Sequence, residues 1–266
     1  MNKKGEFMEL FDSHAHYNDE KFNRDRQEIL QNIYNFGITK LVNAGYSLKS
    51  SKQAVEMAEE YKFIYSTCGI SPNDLNNNYL ENIKKIKKLV KEKRVKGKIV
   101  AIGEIGLDYY WNKENKDMQK DCFIKQIELA NELELPIVIH TRDAYLDTIQ
   151  ILKENECKKR GVFHCCPLNM ELVKDAILLG FYISFAGPIT FKNVKNADEI
   201  VKIVPNDKML IETDSPYLSP EPFRGNRNDS RNIKYMAEKI AKVKGIPTEE
   251  IAKITYENAE RIFNIL

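Results

Sequence analysis

Two histidines two residues apart, His14 and His16, sit in the stretch LFDSHAHY at residues 10–17. In a strand, residues i and i+2 point to one side, so both imidazoles can face one ion. The sequence has only four histidines. The other two, His140 and His164, also follow or end short runs rich in Val, Ile or Phe. Acids join them at similar positions: Glu104 in IGEIGLDYYW and Asp214 in IETDSP. Three or four such nitrogen and oxygen ligands hold one divalent ion; six, with a carboxylate able to bridge, hold two. Imidazole favours zinc, iron, manganese or similar ions over calcium, and carboxylate also admits magnesium and manganese. Two neighbouring metals activate water and stabilise the attacking and leaving oxygens of a displacement, which suits a phosphodiester. Glu104 stands at the end of the fourth predicted strand as the bridging carboxylate. No lysine stands there, which weakens a reading as an amidohydrolase with a modified lysine bridge.

Around this set lie residues with less specific signals. Asp214 could ligate metal, orient the attacking water or accept its proton, and sequence does not separate these roles. Asp12 reads as a surface residue or a support to the ligands rather than a ligand. Arg142, two residues after His140, could face the same mouth, where a guanidinium can clamp phosphate; a salt bridge to Asp143 or another acid is the plainer alternative. Arg224 and Arg227, in the irregular stretch YLSPEPFRGNRND, form a second phosphate candidate against a solvated loop. Tyr109, Tyr110 and Trp111 could stack bases of a single strand or pack their own loop. The adjacent Cys165 and Cys166 have no activating arrangement and read as inert thiols.

The elements that must position these residues alternate regularly. Strands are expected at residues 38–44, 63–70, 99–105, 135–140, 161–165, 181–185 and 209–213, after a first strand that ends in the HxH stretch. Helices are expected at 24–36, from Ser50 or Ser51 to 61, and at 79–93, 117–133, 144–155, 170–179, 193–204, 230–243 and 248–263. Helical spacing of Ile29, Ile33 and Phe36 before Gly37 supports the first helix. The almost wholly apolar fifth strand suits a buried parallel sheet. Strand–helix alternation argues an α/β fold, and the length matches a single (β/α)8 TIM-barrel domain over residues 1–266. A doubly wound sheet is the competing architecture. The barrel is favoured because polar candidates end strands one, four, five, six and eight, and only a barrel gathers those ends around one axis.

Composition narrows the setting. Hydrophobic residues make up 42% and charged residues 30% of the chain, as in soluble globular proteins. A formal charge of +2 is too small to imply a nucleic-acid partner by itself. The Lys-rich helix at 79–93 reads as a solvated face. Five cysteines without a CxxC pair suggest free thiols in a reducing compartment. The sequence MNKKGEFMEL lacks the apolar core of a signal peptide, and no apolar run approaches membrane-spanning length. A cytoplasmic location is therefore expected.

Taken jointly and in order, FDSHAH, GEIGLDYY, LPIVIHTRDA, FHC, IETDSPYL, RGNRN and NAERIF resemble the TatD family of metal-dependent deoxyribonucleases, over almost the whole chain. The resemblance implies a TIM barrel with two divalent ions, magnesium or manganese in function, with zinc, nickel or iron also admitted. It implies one ion on His14, His16, Glu104 and Asp214, and a second on Glu104, His140 and His164. It further implies hydrolysis of DNA, single-stranded or damaged, as a 3′-to-5′ exonuclease. No membrane and no obligate protein partner is implied, and a monomer is expected. The chain departs from the family pattern at Ser71, where a histidine is frequent, at Cys166-Pro167-Leu168 after FHC, and at Asp229-Ser230 after RGNRN. These departures bear on substrate rather than on the predicted ligands. The runner-up functions are a metallohydrolase of a small ester, amide, lactone or phosphoester and a non-catalytic nucleic-acid or protein-binding module.

Overall fold

The computed structural model describes residues 8–93 and 97–265. Eight parallel strands pair in sequence order: β1 (Leu10–Ala15), β2 (Ile38–Asn43), β3 (Ile64–Cys68), β4 (Ile99–Asp108), β5 (Ile137–Arg142), β6 (Gly161–Phe163), β7 (Tyr182–Phe185) and β8 (Met209–Ile211). Backbone hydrogen bonds from Asp214 N–H to the His14 carbonyl (2.9 Å) and from His16 N–H to the Ser215 carbonyl (2.6 Å) join the segment after β8 to β1. The result is a nearly closed (β/α)8 barrel. The helices are α1 (Arg26–Phe36), α2 (Leu48–Glu60), α3 (Tyr79–Lys93), α4 (Lys116–Leu133), α5 (Tyr145–Glu154), α6 (Met170–Leu178), α7 (Ala197–Ile203), α8 (Ile233–Lys244) and α9 (Thr248–Phe263). No helix among the described residues is long and apolar enough to cross a membrane.

Local chemistry sets the helix ends. Gly37 takes φ 115° and its N–H bonds the Ile33 and Tyr34 carbonyls, stopping α1. Ser47 and Ser50 form a reciprocal capping box, so α2 begins earlier than the predicted cap at Ser50 or Ser51. Other helix starts move as well. α7 starts at Ala197 rather than 193, and the helix predicted from 230 splits into a 3-10 turn over Ser230–Asn232 followed by α8.

The barrel interior is layered. Phe11, Val42, Val138, Val162, Tyr182 and Leu210 belong to one apolar cluster, which Ala259, Phe263 and Ile265 also join. Two residues further along stand Ser13, Ala44, His140, His164, Ser184 and Glu212, so strand alternation places a layer that is polar but for Ala44 directly above the apolar one. A second, larger cluster fills the space between strands and helices. β4 runs to Asp108, three residues beyond its predicted end, and β5 to Arg142. Gly106 permits this extension. It has φ 138°, and a Cβ there would lie 2.0 Å from the His140 carbonyl oxygen.

Candidate metal centre

β1 delivers His14, and His16 follows directly after it. Both lie almost completely enclosed. Their Nε2 atoms are 3.2 Å apart. Glu104 Oε2 lies 3.6 Å from His14 Nε2 and 3.7 Å from His16 Nε2, and Asp214 Oδ1 lies 3.7 and 3.2 Å from the same two atoms. The other Glu104 oxygen faces the opposite way. Its Oε1 is 3.1 Å from His140 Nδ1 and 3.5 Å from His164 Nε2, and those two nitrogens are 3.2 Å apart. Glu104 thus divides its carboxylate between two donor sets.

The spacing fits metal ions. Metal–ligand bonds of about 2.1 Å put neighbouring ligand atoms about 3.0 Å apart in an octahedron and about 3.4 Å apart in a tetrahedron. Paired imidazole nitrogens at 3.2 Å can share at most one proton between them, whereas around a cation both present lone pairs. The two His/carboxylate clusters are positioned to bind divalent ions, as a two-metal hydrolase site requires.

Electrostatics reinforce the arrangement. Burial would push the Glu104 carboxyl up, but the His164 charge and hydrogen bonds from His14, His140 and His164 hold it well below the usual carboxylate range. Burial would likewise raise Asp214, and the His16 hydrogen bond and charge outweigh it, so Asp214 stays ionised. His164 is driven the other way. Burial lowers an imidazole, yet Glu104 and Glu212 together raise this one well above its ordinary value.

Two supporting acids escaped the sequence reading. Asp108 Oδ2 contacts His140 Nε2 at 3.0 Å, while its Oδ1 accepts the Tyr110 and Trp111 backbone N–H groups at 2.9 and 3.0 Å. Burial opposes its ionisation, but the His140 and backbone hydrogen bonds bring it down to about 2. Glu212 is completely buried. Its Oε1 accepts the Cys165 backbone N–H at 2.6 Å and lies 3.4 Å from His164 Nδ1. The signal that could have found both was strand periodicity: Asp108 is four residues from Glu104, and Glu212 two from Asp214.

The donor sets sit in an open cleft of about 1060 Å³ at the C-terminal mouth of the barrel. Arg142 and Trp111 line it, with Tyr46 and Tyr217 on the His16 side. The Arg142 guanidinium lies 3.8 Å from the Tyr110 ring centre and 5.6 Å from that of Trp111. It makes no ion pair among the described residues, with Asp143 or otherwise.

Other candidates lie elsewhere. Arg224 and Arg227 do not line the cleft. Arg224 covers Phe191 at 4.3 Å, and Arg227 forks onto both Asp25 oxygens at 2.9 and 2.5 Å. Tyr109 is also absent from the cleft wall. It is 7% exposed and donates its hydroxyl to Asp147 Oδ2 at 2.6 Å, whereas Trp111 is 69% exposed. The loop therefore divides the aromatic roles that its sequence left joined. Asp12 is buried and accepts from Thr213 N–H, Thr213 Oγ1 and Ser230 Oγ at 2.9, 2.5 and 2.6 Å. It ties β1 to the chain after β8, and burial pushes its carboxyl up to about 7 despite those bonds. Burial also pushes the Cys165 and Cys166 thiols up.

Comparison with known proteins agrees with this geometry. The family model for TatD related DNase matches residues 11–264. The metal-dependent hydrolase YabD of Bacillus subtilis is 46% identical over 257 residues, covering 96% of this chain and 99% of YabD. The metal-dependent hydrolase YcfH of Escherichia coli K12 is 35% identical, covering 97% of each chain. Among solved structures, the TatD homologue YJJV of Escherichia coli K12 superposes with a TM-score of 0.92 at 23% identity, covering 98% of this chain and 100% of its own. That likeness concerns the fold. The full-length family match, the identity to YabD and YcfH and the paired His/carboxylate clusters lead to one assignment: the chain belongs to the TatD family of metal-dependent hydrolases, enzymes acting on ester-type bonds.

Proposed function

We propose that the protein hydrolyses DNA phosphodiester bonds as a 3′-to-5′ exodeoxyribonuclease favouring single strands. It would act in the cytoplasm, as a monomer, with one ion on His14, His16, Glu104 and Asp214 and another on Glu104, His140 and His164. The carrying observation is that Glu104 turns one oxygen to each donor set at the floor of an open cleft. Membership of a family described as TatD related DNase supports DNA as substrate.

The cleft wall supports a strand end over a duplex. Arg142 is the one lysine or arginine among its described lining residues. Tight duplex binding draws on neutralising several phosphates, whereas one guanidinium suits a single phosphate. Trp111, Tyr46 and Tyr217 offer aromatic surface to unpaired bases.

Divalent ions bound in the two sets supply Lewis acidity and lower the pKa of an attacking water. The chain does the rest. Asp214, whose Oδ1 lies at the His14 and His16 donor set, accepts the proton of the water. Arg142, its guanidinium plane packed over Tyr110, forks onto the phosphate oxygens. Ser71 lines the cleft and donates to Asp74 Oδ2 at 3.0 Å. No imidazole serves that position in this chain.

The solitary cation also favours a second reading, a hydrolase of a small phosphoester. One experiment separates them. Metal-stripped protein is mixed with 5′-labelled single-stranded DNA, and magnesium or manganese is added. A ladder shortening from the 3′ end, absent with Asp214→Asn, is the expected result. Intact DNA with both metals would transfer the reading to the small substrate.

A further inference from the structure

Five buried side-chain atoms among the described residues have no hydrogen-bond partner, and three of them are His14 Nδ1, His164 Nδ1 and Glu212 Oε2. These three residues converge behind the metal centre. One nitrogen of each histidine and one Glu212 oxygen all lie within 4.8 Å of one another. The His14 and His164 rings stack with centroids 4.0 Å apart and planes 14° apart. Both turn Nε2 toward Glu104, so both turn Nδ1 away from it. His164 Nδ1 lies 3.4 Å from Glu212 Oε1.

A neutral imidazole ligates only through its unprotonated nitrogen, and a partner on the far nitrogen selects which one that is. Glu212 is a fully buried acid on the far side of two such rings. One of its oxygens is already fixed by the Cys165 backbone N–H at 2.6 Å. An unpaired buried carboxylate oxygen is costly, and the Nδ1 atoms of both stacked rings are themselves without partners.

We propose that Glu212 is a positioning residue shared by both donor sets: it accepts from Nδ1–H of His164 directly and of His14 across one bridging water, holding both Nε2 lone pairs toward the ions. One acid would then tie the two sites together from behind, as Glu104 does from in front. His140 is arranged oppositely, with Nδ1 facing Glu104 and Nε2 facing Asp108. The inference rests on ions occupying the two sets.

Four histidines in the whole chain, all at the site, make imidazole nitrogen NMR decisive. In zinc-loaded, 15N-labelled protein, His14 and His164 should show protonated Nδ1 and metal-bound Nε2, and His140 the reverse. Glu212→Gln inverts the polarity at one oxygen, because the Cys165 N–H keeps the amide oxygen at Oε1 and places the NH2 at Oε2. That variant should lose the Nδ1–H signal of His14, shift that of His164 because its Oε1 acceptor becomes a neutral amide oxygen, leave those of His140, and bind both ions about 10–100-fold more weakly in calorimetry. Asp108→Asn should disturb His140 alone. A folded Glu212→Gln protein with unchanged signals and affinities overturns the proposal. So does a third zinc lost in that variant, which would make Glu212 a ligand. If the variant does not fold, the wild-type spectrum still decides: Nε2–H on His164 overturns the proposal, and Nδ1–H on both rings supports it. Wild-type protein that binds no ions would instead remove the metal reading beneath it.

Discussion

Two layers of the same barrel interior stand one strand repeat apart and are built for opposite purposes. The lower holds Phe11, Val138, Val162, Tyr182 and Leu210, closed from below by Phe263 of α9. The upper, two residues on, holds Ser13, His140, His164, Ser184 and Glu212. Both are buried, apart from part of His140. Burial of apolar surface stabilises the lower layer by about 25 cal/mol per Å². In the upper layer the same burial penalises every charge, and only mutual pairing around Glu104 and Asp214 offsets it. Inside the barrel, apolar packing is thus concentrated in one ring of side chains and chemistry in the next.

That division can be broken from either side. The largest effect is expected at the donor sets that the upper layer carries. Asp214→Asn should lower kcat by about 10²–10⁴-fold, the range for a lost general base, with the urea midpoint little changed; a stability loss matching the activity loss would dissolve the distinction. Next comes the lower layer. Phe11→Ala removes a ring packed on Tyr256 and Phe263 at 5.6 and 6.3 Å. It should cost about 3–5 kcal/mol of folding free energy, read by urea denaturation, while ion affinity per folded molecule is kept.

Smaller changes sharpen the picture at the rim. Arg142→Ala should raise KM for single-stranded DNA about 10–100-fold, the equivalent of a lost charged hydrogen bond of about 1.5–3 kcal/mol, with kcat nearly unchanged. Steady-state kinetics at several salt concentrations would check it. Arg227→Ala, by contrast, should leave kinetics alone and cost at most about 1 kcal/mol of stability, as exposed ion pairs do. Its pH dependence has a definite sign. The Arg227 hydrogen bond holds Asp25 below its ordinary value of 3.8. The pair therefore contributes above that value and fades as pH falls through the lowered one. Thermal melts of the two proteins should converge in acid.

The barrel was legible because parallel strands buried on both faces read as apolar runs, and because histidines and acids interrupted them only at the ends. HxH spacing exposed His14 and His16 directly. What stayed hidden depended on contacts across distant strands. Asp108 and Glu212 look like ordinary polar residues at a strand's close until β5 and the turn after β6 bring His140 and His164 against them. Tyr109 and Trp111 differ by two positions, yet one is anchored by Asp147 in α5 and the other is not. Arg227 sits in the predicted phosphate loop, but its partner Asp25 lies some two hundred positions earlier in the chain.

The seam between β1 and β8 has a bearing on how the molecule is made. α9 straddles that seam. Tyr256 bonds Thr39 at 3.0 Å, Glu260 pairs with Lys40, and Asn258 donates to the Asn206 and Met209 carbonyls at 2.7 and 2.9 Å. A nascent chain on the ribosome can assemble its early strands and helices as they emerge. It cannot bring His14 beside Asp214 until the segment after β8 has emerged, or shelter the bottom of the barrel from water until α9 has followed. The first donor set is therefore completed only after β8 has been made, and a chain stopped before that point would carry most of the barrel and lack Asp214 from the set.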